Sequence, residues 1–196
     1  MAEALLPFGK KGPKPLKETG ATRRRTSDGQ TVTTFWEYPY FISSNQDGVT
    51  VPEVRAWLRW VFQHSKSWVR AGVWFPEVRR SRDAMVVVRY VPGPIECGDV
   101  PDAVGCTDRQ MGPDKQTLIR MSSKRLATPQ NPQGRFKGIL HELGHAAFWA
   151  THGAGVVYSQ RKAGLMAPGS PDGIWPTDVD IASVEAFTRG KNRVKG

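Results

Sequence analysis

His141-Glu142-Leu143-Gly144-His145 is the stretch from which the rest of this chain is read. In a helix the two histidines stand one turn apart, about 6 Å along the axis at roughly 1.5 Å per residue, so both imidazoles can reach one zinc ion while Glu142 projects beside it. Zinc held in this way lowers the pKa of a bound water, and Glu142 would take the proton as the hydroxide attacks a carbonyl. The spacing points to metal-assisted hydrolysis of a peptide bond.

The residues next outward favour this over a solvated helical face. Phe136, Ile139 and Leu140 precede the motif and Ala146, Ala147, Phe148 and Trp149 follow it, so the helix is apolar and an unpartnered His would be costly to bury. Of the four His in the chain, His141, His145 and His152 fall close together. His64 stands apart, with no partner spacing, and reads as a surface or core histidine.

Upstream, Pro129 to Gly134 predicts a turn into the zinc helix. Gln116 to Met121 and Ala103 to Arg109 predict strands, and Pro92 to Asp102 a loop. Ala84 to Val91 predicts a longer strand whose Val86-Val87-Val88 run suits burial on both faces, and Val73 to Val78 a short one. Thr50-Val51-Pro52-Glu53 is a helix start, and the stripe Val54, Trp57, Leu58, Val61, Phe62, Trp68, Val69 continues to Gly72. Thr31 to Ser43 predicts a first strand bent at Pro39. Downstream, Gly153 to Gly173 is irregular, and a last helix begins at Thr177 with Asp180 three residues on.

The ends differ in composition. The net charge is +10 over 196 residues, yet Lys10, Lys11, Lys14, Lys17, Arg23, Arg24 and Arg25 against Glu3 and Glu18, together with Arg189, Lys191, Arg193 and Lys195, account for nearly all of it. Residues 1–30 therefore read as a flexible basic arm, 31–190 as one folded domain and 191–196 as a basic tail. Nucleic acid is expected to meet the chain through those tails alone. No apolar run is long enough to span a bilayer, and Ala4-Leu5-Leu6-Pro7-Phe8 is too short for a signal-peptide core. A mature secreted form is the favoured expectation, with an intracellular or virion-associated chain as the alternative. Cys97 and Cys106 are compatible with a disulfide or with two free thiols.

The order of elements, with HELGHA at 141 to 146, Gly164-Leu165-Met166-Ala167-Pro168 and Pro176-Thr177-Asp178-Val179-Asp180-Ile181, resembles the catalytic domain of the metzincin zinc metallopeptidases, matrixin-like branch. The resemblance implies an α+β fold: a twisted mixed sheet of about five strands with three main helices and a zinc cleft at the second helix. It implies that Met166 is a structural floor beneath the metal and not a ligand. The family pattern is HExxHxxGxxH, whereas here Phe148 holds the Gly position and Thr151 the third-ligand position, with His152 one residue later. In a straight helix His152 would lie about 10 Å along the axis from His145, so the helix must break between Phe148 and Thr151 if His152 is the third ligand. His152 is assigned that role, with Asp172 or a thinly coordinated site as the alternative. No fourth protein ligand is evident, which favours an open catalytic zinc.

The resemblance also implies that substrate adds as a strand along Ala103 to Arg109, with Val104, Gly105 and Cys106 as its binding residues. Val156, Val157 and Ala167 are weaker candidates for the pocket beside the zinc, and Tyr158 reads as packing. Calcium, common in the family, has no placeable site among Asp99, Asp102, Asp108 and Asp114. The expected activity is that of a monomeric zinc-dependent endopeptidase with Glu142 as general base and a peptide or protein substrate. Two alternatives stand beside it. One is a SprT-like DNA-associated protease, which the HELGHAAFW helix also resembles; the other is a non-catalytic zinc-binding scaffold module.

Overall fold

The computed structural model describes residues 16–43, 51–108, 116–123, 132–148, 165–166, 173–182 and 184–185. Strand β1 (Lys17–Arg25) turns at Thr26–Gln30 and pairs antiparallel with β2 (Thr31–Glu37). The turn is closed by Thr26 N–H on the Gln30 carbonyl at 2.8 Å. Residues 17–25, read from the sequence as part of the arm, are thus a strand of the fold. They show no apolar alternation because most of their side chains are exposed, and Lys and Arg are residues that blunt an open sheet edge.

Pro39 determines where the sheets part. The run from Thr31 to Ser43 divides into β2 and β3 (Tyr40–Ile42). Proline has no N–H to donate, and the Pro39 carbonyl instead accepts from the N–H groups of Met85 at 2.8 Å and Val86 at 3.3 Å. On one side Tyr38 N–H donates to the Trp74 carbonyl, and on the other Tyr40 N–H donates to that of Pro76. The chain therefore changes partners here. Upstream, β2 lies parallel to the short β4 (Val73–Trp74); downstream, β3 lies parallel to β5 (Val86–Val91).

Helix α1 (Val51–Phe62) precedes β4 and buries Val54, Leu58, Val61 and Phe62 on one stripe. It ends at Phe62 and not at Gly72, because the Ser67 hydroxyl takes the Phe62 carbonyl at 2.9 Å and Ser67 then caps a separate 3-10 turn, Trp68–Ala71. Gly72 closes that turn in the left-handed region, at φ 79°.

Beyond β5 the segment expected as a loop contains a hairpin, β6 (Ile95–Cys97) with β7 (Val100–Ala103). Next come β8 (Gly105–Asp108) and β9 (Thr117–Ser122), which pair antiparallel. β9 lies parallel to β5, whose Val86, Val87 and Val88 are buried as their unbroken run requires. Cys97 and Cys106 are joined by a disulfide that ties β6 to β8.

Helix α2 (Pro132–Phe148) carries the histidine motif and buries Ile139, Leu140, Leu143, Ala146, Ala147 and Phe148 in the common core. Two buried donors fasten it: Trp68 Nε1 to the Leu140 carbonyl at 2.8 Å, and Tyr38 Oη to the Ala146 carbonyl at 3.0 Å.

The expected sheet of about five strands under three main helices is corrected by this arrangement. The described strands form three sheets, ordered β1-β2-β4, β3-β5-β9-β8 and β6-β7. Only two long helices lie among the described residues; residues 178–182 form a short third. No helix there is long and apolar enough to cross a membrane.

Candidate metal and hydrolytic site

One turn of α2 brings His141 and His145 together, with Nε2 facing Nε2 at 3.0 Å. The His141 Nδ1 lies 2.7 Å from the Leu165 carbonyl. A carbonyl can only accept, so Nδ1 carries the proton, and His141 Nε2 in its neutral form offers its lone pair to the Nε2–H of His145. That is the tautomer a metal ligand needs, oriented by a carbonyl behind it. A tetrahedral zinc with bonds of about 2.0–2.1 Å holds two ligand nitrogens about 3.3 Å apart, so this pair fits such an ion with a shift of a few tenths of an ångström.

Leu165 is itself held. Its N–H donates to Asp180 Oδ2 at 2.8 Å, and the same oxygen accepts from the Thr177 N–H at 2.8 Å and the Thr177 hydroxyl at 2.9 Å. Asp180, read in the sequence only as a helix-start residue, thus links the closing helix through Leu165 to His141. Asp180 is 2% exposed, and these hydrogen bonds stand in for water at its carboxylate. Met166 is buried next to it, with its sulfur against Gly144: a Cβ built at 144 would lie 2.5 Å from Met166 Sδ and 2.9 Å from Trp68 Cζ2. Only glycine lets the helix, the methionine and the indole meet this closely.

Glu142 is held by β8. Thr107 Oγ1 lies 2.6 Å from Glu142 Oε2 and 3.0 Å from the Glu142 carbonyl. Burial pushes the Glu142 carboxyl up to about 7, the Thr107 hydrogen bond works against that rise, and Asp108 adds to it. Asp108 is itself paired with Arg120, Oδ2 to Nε at 2.5 Å. Sequence reading missed Thr107; the one usable signal was alternation, which puts residues 105 and 107 of a strand on the same face.

Of the expected substrate residues, Val104 precedes β8 and its carbonyl accepts from Ser122 N–H at 2.9 Å. Gly105 lies against Glu142, and the Cys106 side chain is buried in the disulfide, so only its backbone could meet a ligand. β8 is the terminal strand of its four-stranded sheet. His64 is a buried histidine: Nδ1 accepts from Lys66 N–H at 3.1 Å and the ring stacks on Trp175 at 4.3 Å.

No group of three or more His, Cys, Asp or Glu able to hold a metal is present among the described residues. The expected third ligand His152 and its alternative Asp172 lie outside those residues, as do Val156, Val157, Tyr158 and Ala167.

No family model matches this chain, and no curated protein matches it. A solved structure described as the GM1-bound form of the ECX AB5 holotoxin is similar at 15% identity with a TM-score of 0.47, covering 78% of this chain and 80% of that one. None of these comparisons shows a metzincin family. With three sheets in place of one and two described donors at the histidine pair, the metzincin-like fold class is withdrawn in favour of the sheet-rich, disulfide-tied arrangement above.

Proposed function

We propose that this chain is a zinc-dependent hydrolase of peptide bonds, with His141 and His145 as metal ligands, His152 as the third, and Glu142 as general base. The convergence of the two Nε2 atoms, with the His141 tautomer set by Leu165, is the observation that carries the reading. When bound, zinc would supply Lewis-acid polarisation of the scissile carbonyl and would make water a nucleophile near neutral pH. Glu142 would accept a proton from the attacking water as the water oxygen bonds to the carbonyl carbon, and would deliver it to the departing amine nitrogen as the C–N bond breaks. Among the described residues β8 ends its four-stranded sheet, and under this reading an extended peptide would add along it as a further strand.

The test pairs metal content with cleavage of a denatured protein. The wild-type chain should bind one zinc and cleave; Glu142→Gln should keep the zinc and lose roughly 100- to 10,000-fold in rate, the range for general acid–base catalysis. His145→Ala should lose both. Zinc bound with no cleavage by the wild type would support a non-catalytic zinc-binding module instead, and cleavage undiminished in Glu142→Gln would refute the proposed role of that carboxylate.

A further inference from the structure

The geometry points to Thr107 and Gly105 of β8 as a two-point clamp that positions the Glu142 carboxylate for the reaction. This inference deepens the proposed function and rests on it for its catalytic meaning. Residues 105 and 107 share one face of β8, and that face meets α2 at Glu142. Gly105 provides the space: a Cβ there would stand 2.8 Å from Glu142 Cγ and 3.2 Å from Oε1, so any larger residue would push the side chain away. Thr107 provides the bond. Its hydroxyl reaches both Oε2 and the main-chain carbonyl of Glu142, at 2.6 and 3.0 Å, so the far end of the side chain is referenced to its own backbone through one oxygen.

A glutamate has three side-chain torsions, and a base that shuttles a proton from water to an amine needs them fixed. The clamp removes that freedom before substrate arrives. Thr107 acts on the reaction only through the Glu142 carboxylate that it holds, so it is a positioning residue. Misplacement of a reacting group by about 1 Å can cost on the order of 100-fold in rate, which sets the scale of the effect.

The experiment compares Thr107→Val, which keeps the shape and removes the hydroxyl, with Thr107→Ser, which keeps the hydroxyl, both in the full chain. Thr107→Val should lower kcat roughly 10- to 100-fold with KM and zinc content unchanged, and Thr107→Ser should restore most of the loss. A crystal structure of each gives a readout independent of activity: Glu142 should remain against Gly105 in the wild type and Thr107→Ser, and swing away in Thr107→Val. An unchanged kcat, an unmoved Glu142 in Thr107→Val, or a loss that Thr107→Ser fails to restore would overturn the clamp. If the wild type cleaves nothing, the hydrolase reading fails, and the crystal structures still decide whether the clamp exists.

Discussion

The two sides of helix α2 are anchored by opposite means. The histidine side depends on chain that comes later in sequence, where Asp180 holds Leu165 and Leu165 holds His141 by single hydrogen bonds. The glutamate side depends on chain that comes earlier, in a strand fixed by ladder pairing to β9 and by the disulfide to β6. The difference teaches that, under the proposed function, metal binding and base positioning would be separable. One relies on a polar relay of few bonds, the other on a covalently stapled strand.

The largest expected effect comes from breaking the staple. Replacing Cys97 and Cys106 together with Ser should cost about 2–4 kcal/mol of stability, measured by urea unfolding, and should depress kcat more than zinc affinity. Equal losses in both would contradict the separation. Next is the relay: Asp180→Asn should weaken zinc affinity roughly 10- to 100-fold in a chelator competition, as outer-shell substitutions do, while kcat at saturating zinc changes little.

Gly144→Ala probes the contact beneath the histidines. Its Cβ would meet the Met166 sulfur and the Trp68 ring, so a loss of about 1–3 kcal/mol is expected, and much of it should vanish when Met166→Ala is combined with it in a double-mutant cycle. The smallest effect concerns His64, which stacks on Trp175 near the start of the relay. Burial holds its pKa below the ordinary 6.5, Asp28 pulls it up less strongly, and Lys66 lowers it further. A depressed histidine means that the unfolded chain takes up its proton first. Stability is therefore undiminished above pH 6.5, falls as pH drops below it, and levels off below the folded pKa. His64→Phe should flatten this acid slope in urea midpoints measured from pH 7.5 down to 5.5, and an unchanged slope would assign it to other groups.

How much of this was legible in the sequence follows from the range of each interaction. The pairing of His141 with His145 depends on helical period alone, which is local, and so it could be read from five letters. The buried strand at Val86 to Val88 and the α1 stripe were legible for the same reason. The end of α1 was not, because Ser67 reaches back to the Phe62 carbonyl and interrupts an apolar stripe that continues in letters to Val69. The bend at Pro39 was visible, but its consequence, a change of partner from β4 to β5, depends on residues far along the chain. β1 was hidden because an exposed basic strand writes no apolar alternation. The metzincin-like fold class failed where it extended a linear order of elements to a pairing order that no local pattern encodes. Thr107 and the relay from Asp180 went unread for the same reason: each is one polar contact between distant segments.

The most direct measurement is anomalous diffraction at the zinc edge from crystals of the full chain grown with stoichiometric zinc. The account predicts one strong peak between the Nε2 atoms of His141 and His145, with a third protein ligand completing an open site and Glu142 beside it. A zinc-loaded crystal with no density at that pair, or with the ion bound elsewhere, would contradict it.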